Sequence, residues 1–482
     1  MKHEYGSQIF PRLKESVRFR REDFGVICMD RITGKTFMLH PSEAVTVALC
    51  NGKSTLKEII EIVRYAFSVD ESKAQNHVRA TLNKVDELVE YYSTSKSMML
   101  PIDPIEFAYN SNQIPADKLP TYSGPLVMVL TVTERCNLKC AYCYKGKPRS
   151  EGPELTTREI LRLINQAADL GVIRCFVTGG DPTMRPDLSK IVSSLLKADI
   201  FPFVSTKGYN MTDKLARNLA ETGLENIQVS LDSCYPNITD KITGVKGSFQ
   251  ATINAIKILK QKDFKVRVKA VVTVLNVNTI HEMIDFCYNL GVDELSFSPF
   301  FPGTFGYGDK ELLSSRLQIE KASKLIAEKT REYNGQMNVE KLTLYPNWRK
   351  GHIDLCGGMV TSMAVSSVGE IHLCELLTGF KDMIIGNVRE MSLKEAWESQ
   401  KAESWRDFDI SKVSELCRRC ELVKTCRTGC YNFSKVCYGD YYAPDPRCPK
   451  APTLQGEFPF MQKSCGKRNK TANALDVNDT KL

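Results

Sequence analysis

The sequence predicts an α/β protein in three parts: a small β3α3 unit, a partial (β/α)6 barrel and a cysteine-rich C-terminal region. Three observations carry this. Between about residues 125 and 335, six apolar strand-length runs alternate with amphipathic helix-length segments. The 482 residues are too many for one folding unit, at roughly 100–200 residues per domain. The 17 cysteines crowd into two stretches. With 42% hydrophobic and 25% charged residues, the composition is ordinary globular usage and excludes a disordered chain, a collagen-like rod and a coiled coil. No run approaches the ~18 apolar residues of a membrane span, and the first residues hold no apolar core of secretory type, so a cytoplasmic protein is expected. In that compartment clustered cysteines hold metal more often than disulfides. The net charge of +8 is a mild surplus on this length, not a nucleic-acid footprint.

In residues 1–95, Val17 and Phe19, then Val26, Ile27 and Met29, predict two short strands around the turn at Glu22–Gly25, and Gly34 turns the chain into a third at Thr36–Leu39. A helix starts near Pro41-Ser42-Glu43 and stops at Asn51-Gly52. A second carries Leu56, Ile59, Ile60 and Val63 on one face, and a third carries Val78, Leu82, Val85 and Val89. This order has the shape of a winged helix-turn-helix. Such units commonly read DNA, but 14 Lys/Arg against 13 Asp/Glu leave no basic face, so no nucleic-acid partner is expected. Peptide recognition fits better, because a strand and a helix form a groove to which an extended peptide adds as a further strand. A merely structural appendage is the alternative. Residues 96–124, with Pro101, Pro104, Pro115 and Pro120 among Asn, Ser and Asp, suit an extended linker.

The barrel occupies residues 125–335. Strands are predicted at 126–133, 173–178, 201–205, 226–231, 266–274 and 294–298. Helices fill the gaps at Thr156–Leu170, Pro186–Ala198, Thr212–Thr222, Ser248–Lys262, Thr279–Leu290 and Lys310–Tyr333. Repeated βα order implies a parallel sheet with right-handed crossovers, whose chemistry lies beyond the C-terminal strand ends. After the first strand comes Cys136-Asn-Leu-Lys-Cys140-Ala-Tyr-Cys143. Three soft thiolates on one loop fold round an iron–sulfur cluster and leave one iron free for an exogenous chelator. A three-cysteine zinc site is the alternative. After the second strand, Thr178-Gly179-Gly180-Asp181-Pro182 allows close backbone approach to a ligand and adds a carboxylate suited to an ammonium group. The third and fourth strands end in Ser205-Thr206-Lys207-Gly208 and Ser230-Leu231-Asp232. These place hydroxyls on the same rim, or serve only as strand-ending turns and helix caps.

Residues 336–455 hold the second cysteine group. Cys356 is followed by twelve residues, Gly369, four residues and Cys374; then come Cys417-x2-Cys420-x5-Cys426-x3-Cys430 and, seventeen residues on, Cys448. Seven thiols need two centres, with a pair of structural zinc sites as the alternative reading. Cys28, Cys50, Cys175, Cys234, Cys287 and Cys465 stand singly and suit core or surface positions. Residues 456–482 read as a disordered tail.

Both cysteine groups resemble motifs of one enzyme family. Cys136, Cys140 and Cys143, with Tyr142 before the last, resemble the CxxxCxxC signature of radical S-adenosylmethionine (SAM) enzymes, and Thr178–Pro182 is similar to their GGE-P motif, with Asp181 in place of Glu. The later spacings resemble the SPASM extension of these enzymes. The resemblance implies one [4Fe-4S] cluster on Cys136, Cys140 and Cys143, whose open iron is chelated by SAM. An electron then cleaves SAM to a 5′-deoxyadenosyl radical that abstracts a substrate hydrogen. It further implies cofactor contacts from Tyr142, Gly179, Gly180, Asp181, Thr206, Ser230 and Asp232. Two auxiliary [4Fe-4S] clusters follow: an outer one on Cys417, Cys420, Cys426 and Cys448, and an inner one on Cys356, Cys374 and Cys430, with an open iron or with Cys437 as fourth ligand.

The β3α3 unit before such a barrel resembles the PqqD-like element that grips the leader of ribosomally made peptides. The combined resemblance implies a peptide maturase with a precursor peptide as partner and a flavodoxin- or ferredoxin-type electron donor. Its product is a thioether, a carbon–carbon crosslink or an epimer; a crosslink is preferred, because auxiliary clusters accept the electron left when a substrate radical closes its bond. The alternatives are a sulfatase-type protein maturase, a cofactor-biosynthesis enzyme and a non-enzymatic DNA-binding iron–sulfur sensor. Glu375, directly after Cys374, matches in charge the Asp of sulfatase-maturing relatives and is expected either as a general base with a raised pKa or as a carboxylate that only hydrogen-bonds its loop.

Overall fold

The computed structural model describes residues 8–96, 103–107, 121–144, 151–300, 312–333, 335–340, 342, 356–446, 448 and 450–451, divided between two compact units, Met1–Ser123 and Gly124–Leu482. The expected tail at 456–482, with Cys465, lies outside the described residues, as does the Cys437 side chain.

The N-terminal unit runs β1 (Phe10–Leu13), β2 (Val17–Glu22), β3 (Gly25–Asp30), β4 (Thr36–Leu39), α1 (Pro41–Ala48), α2 (Leu56–Ala66), α3 (Glu71–Lys84) and β5 (Val89–Tyr92). β2, β3 and β4 form an antiparallel sheet with β3 in the middle, and β3 is buried along its whole length. The sequence reading missed β1 and β5, which pair with each other, and it carried the third helix through Val89. Instead Asp70 caps α3 by accepting from the Lys73 N–H, the helix ends at Lys84, and the β-prone run Val89–Tyr92 pairs with a strand almost eighty residues earlier. Part of the stretch read as a linker is packed: Phe107 is buried and its ring lies 5.3 Å from that of Phe19.

The second unit contains β6 (Val127–Thr131), α4 (Thr157–Asp169), β7 (Arg174–Thr178), α5 (Leu188–Lys197), β8 (Phe201–Thr206), α6 (Asp213–Ala220), β9 (Asn226–Ser230), α7 (Pro236–Thr243), α8 (Ser248–Lys260), β10 (Lys265–Val272), α9 (Ile280–Asn289), β11 (Glu294–Pro299), α10 (Arg316–Glu332) and β12 (Asn338–Val339). Then follow β13 (Ser362–Val365), β14 (Glu370–His372), β15 (Ile384–Asn387), α11 (Leu393–Glu398), α12 (Gln400–Arg406), α13 (Glu415–Arg418), α14 (Val423–Cys426) and α15 (Tyr431–Tyr438). The strands form one open sheet in the order 12-11-10-9-8-7-6-13-14-15, parallel from β12 to β13 and antiparallel beyond. The six strands expected from the sequence form within two residues of their expected ends. Helix α7 was not foreseen. Nor was the pairing of β13 beside β6, which attaches the cysteine-rich region directly to the barrel sheet.

A parallel sheet buried on both faces reads as continuous apolar runs. Here the runs alternate. Val177, Val204, Val229, Val266 and Val268 are fully buried on one face, while Phe176, Phe203, Ser205, Arg267 and Lys269 on the other are only partly buried. That second face is the concave interior: the Arg267 guanidinium on β10 lies over the Phe203 ring on β8, and Gln228 donates to Ser205 at 2.8 Å. The barrel therefore has a polar lumen.

Candidate functional site

The loop after β6 is built by close packing against the β7 end. Gly180 N–H donates to the Thr133 carbonyl and Asp181 N–H to that of Arg135, both at 2.8 Å. A Cβ on Gly180 would lie 2.4 Å from the Arg135 oxygen, and one on Gly179 2.6 Å from that of Thr133. The two glycines thus let the strand end meet the cysteine loop. Glu154 accepts from the Thr133 hydroxyl at 2.7 Å and the Glu134 N–H at 2.9 Å. Further along, Lys139 and Ala141 donate to the carbonyls of Thr243 and Ile242 at the end of α7. Cys136 accepts from the Leu138 N–H at 3.4 Å. Burial pushes the Cys140 thiol up to about 11, against the pull of the Lys207 ammonium; a metal would bind it as the thiolate.

The rim residues differ in part from the sequence reading. Asp181 was read as facing an ammonium group, but it is buried and both its oxygens are spent inside the chain. They accept from the Thr183 N–H and hydroxyl, from the Thr206 hydroxyl at 2.8 and 2.9 Å, and from the Lys207 N–H at 2.9 Å. A carboxylate one methylene shorter than Glu stays within reach of these donors and ties β7 to β8. Thr206 is consumed by the same contact. Asp232, fully enclosed, accepts from the Tyr142 hydroxyl at 2.8 Å, the Lys207 ammonium at 2.6 Å and the Val271 N–H at 3.0 Å. Lys207 also donates to the Tyr142 oxygen at 2.7 Å. Burial lowers the Lys207 pKa, but Asp232 and Tyr142 outweigh it and hold the ammonium well above the ordinary lysine range. The sequence reading passed over Lys207; a lone lysine between Thr206 and Gly208 at the end of an apolar strand was the available signal. Ser230 remains partly buried on the lumen face, in register with Lys269.

Tyr144, next to Cys143, is a second residue that the sequence reading missed. Its phenol hydrogen-bonds both Thr178 and Glu375. Burial, and then the Glu375 charge, push it well above the ordinary tyrosine range. The contact joins the first cysteine loop to the Cys374 loop. Gly369, in the turn between β13 and β14, has φ +92°, where an L side chain is strained, and a Cβ there would lie 2.9 Å from Asn387 Oδ1. Cys356 and Cys430 both act on the Cys374 thiol, which burial above all pushes up, so these three sulfurs share one neighbourhood.

Cys417, Cys420, Cys426 and Cys448 line one hollow of ≈ 360 Å³, open mouth included. Thr428 lines the same hollow, and its buried hydroxyl has no hydrogen-bond partner among the described residues. Four thiols and an unpaired hydroxyl suit a cluster whose sulfur atoms accept hydrogen bonds. Asp445 braces the loop from beneath, accepting from the Cys430 N–H at 2.8 Å.

An open parallel barrel with a three-cysteine loop at its rim and a cysteine-rich extension defines a class of iron–sulfur enzyme. Residues 130–287 match the Radical SAM superfamily, and residues 356–421 match the iron–sulfur cluster-binding SPASM domain, so the chain carries a radical SAM domain followed by a SPASM domain and is an enzyme that uses SAM and [4Fe-4S] clusters. Among characterised relatives it is similar to a PqqA peptide cyclase of Rhizobium meliloti, 28% identical over 70% of this chain and 90% of the relative. It is also similar to an AdoMet-dependent heme synthase of Methanosarcina barkeri, 27% identical over 68% of this chain and 97% of the relative. Its fold is that of Streptococcus suis SuiB, solved with the precursor peptide SuiA, at a TM-score of 0.65 and 20% identity over 90% of this chain and 98% of SuiB. Among the described residues no helix is long and apolar enough to cross a membrane.

Proposed function

We propose that this enzyme is a peptide maturase that crosslinks a ribosomally made precursor, through a thioether or a carbon–carbon bond. The observation that carries the reading is the chain-wide likeness to a SuiB structure holding its precursor peptide, together with the relationship to PqqA peptide cyclases. The N-terminal unit supports it, since β4 lies at a sheet edge with Met38 exposed, and an extended leader can add there as a strand. Residues 1–95 then hold the leader while the lumen receives the core.

Cys136, Cys140 and Cys143 would hold the SAM-binding cluster, and SAM bound there would supply the radical chemistry that removes a substrate hydrogen. Ser230 faces that space. Glu375, held by the Tyr144 phenol, accepts the proton that a substrate thiol or amide releases. Cys356, Cys374 and Cys430 would hold the inner auxiliary cluster, and Cys417, Cys420, Cys426 and Cys448 the outer one. The Tyr142–Lys207–Asp232 contact fixes the cysteine loop to the barrel rim. The electron donor is of flavodoxin or ferredoxin type, the compartment is the cytoplasm, and no nucleic acid is involved.

Anaerobic co-expression with the short reading frame beside the gene, followed by mass spectrometry, tests the proposal. The expected result is loss of a pair of hydrogens per crosslink, and Glu375→Gln should cleave SAM but release mostly unmodified peptide. A precursor of unchanged mass, with SAM cleavage intact, overturns the crosslinking reading.

A further inference from the structure

The lumen floor is charged and internally balanced. Arg267 is paired with Glu340 at 2.7 Å and Glu294 at 3.3 Å, and the Arg174 guanidinium lies 4.9 Å from the rings of both Phe176 and Phe203. One pleat nearer the rim on β10 is Lys269, on the same face as Arg267 and in register with Ser230 on β9 and Ser296 on β11. Its side chain is partly buried. Among the described residues its ammonium makes no hydrogen bond or ion pair. The acids whose charge reaches it, Glu340 and Glu375, are already engaged with Arg267 and with Tyr144. Burial, and then repulsion from Arg267, lower its pKa, which is the direction that an anion in the lumen would reverse.

A shielded cation without a partner is costly, and such groups are ordinarily paired. The missing charge is therefore to be sought in a ligand. At the cysteine loop the cation that acts on Cys136 and Cys140 is Lys207. Lys269 instead shares its field with Glu375, on the side of the inner auxiliary cysteines. We propose that Lys269 is a substrate-specificity residue that binds a carboxylate of the peptide core, an Asp or Glu side chain, in the lumen below the reacting position. This rests on the peptide-maturase reading and narrows its substrate class to cores carrying an acidic residue near the modified one.

The test uses the full-length protein reconstituted anaerobically with iron and sulfide. Labelling of Lys269 by an amine-reactive ester is followed by peptide mass spectrometry with four additions: none, N-acetylglutamate α-amide, neutral N-acetylglutamine α-amide, and SAM, each at the same millimolar concentration. The expected result is severalfold slower labelling with the glutamate compound and no change with the other two. Equal protection by both amides, protection by neither, or no labelling under any condition overturns the proposal. Protection by SAM overturns it too, since the ammonium would then serve the cofactor's carboxylate. The readout needs neither turnover nor a precursor, so failure here is distinct from failure of the maturase reading, which shows as an unmodified precursor in co-expression.

Discussion

The loop that carries Cys136, Cys140 and Cys143 is held by its surroundings. Glu154, the backbone of Gly180 and Asp181, the end of α7 and the Tyr142–Lys207–Asp232 contact grip it from four directions. The stretch from Ser414 to Ala451 is made of short elements fastened largely by side chains: Tyr441 donates to Asp382 at 3.0 Å, and the Trp405 ring packs against Tyr431, Tyr441 and Tyr442. Helices α13 and α14 have four residues each, far below the length at which a helix stands alone. Between Cys426 and Cys430 the backbone passes through three successive left-handed residues, Arg427, Thr428 and Gly429, two of which bear side chains that make the conformation costly. From outside, Arg427 is anchored to the carbonyls of Trp405 and Arg406. The difference separates a cysteine loop that the barrel holds by its backbone from one built of short elements that side chains fasten, the second expected to depend more on a bound cluster.

Removing iron is the strongest test of this contrast. Structural metal binding in small domains contributes on the order of 10 kcal/mol. Chelation should therefore abolish hydrogen-exchange protection over 414–451 while 127–143 and the barrel strands keep theirs. Equal loss at both sites would break the distinction.

Next comes Lys207→Met, which leaves the enclosed Asp232 carboxylate without its cation. We expect a loss of about 3 kcal/mol in urea unfolding of the second unit, with iron lost from the first site and retained at 417–448. A change below the error of the measurement would mean that the contact is not what holds the loop.

Gly180→Ala tests the backbone side of the same grip. The added methyl meets the carbonyls of Arg135 and Glu134, and overpacking of this kind costs about 2 kcal/mol. The iron content of the first site should fall while the second stays intact.

The smallest effect concerns pH and sharpens the comparison by isolating the barrel from both clusters. Burial, and the hydrogen bond that protonated Glu294 donates to Glu340, push Glu294 up to about 7 against the pull of Arg267. Because the folded pKa lies above the unfolded one, near 4.5, the native state holds its proton more tightly between these values. Stability is then greatest below the lower value and falls as pH rises through the window to about 7. Glu294→Gln should flatten that slope, measured by urea unfolding at the two ends of the window; an unchanged slope would assign it to other groups.

The barrel strands and both cysteine groups were legible because their signals are local. A strand of alternating burial, a thiol spacing on one loop and a turn glycine such as Gly369 each show within a few residues. What escaped depended on partners far away in the chain. β1 and β5 are separated in the chain by three strands and three helices, and Val89 continues the helical spacing of Val78, Leu82 and Val85, so periodicity alone placed it in a helix. Asp181 reads in the sequence as a carboxylate suited to an ammonium group, because Thr206 and Lys207, which donate to it, come from the next strand.

By itself the sequence determined the α/β order, the two groups of closely spaced cysteines and the glycines at the strand ends, because backbone geometry and residue spacing are properties of short segments. Tertiary structure alone decided that Lys207 locks Asp232 to Tyr142, that Tyr144 meets Glu375, and that Lys269 stands in the lumen with no hydrogen-bond or ion-pair partner among the described residues. These contacts join residues from 25 to more than 200 positions apart, and they exist only once parallel pairing has set the register of each strand and turned one face of the sheet inward.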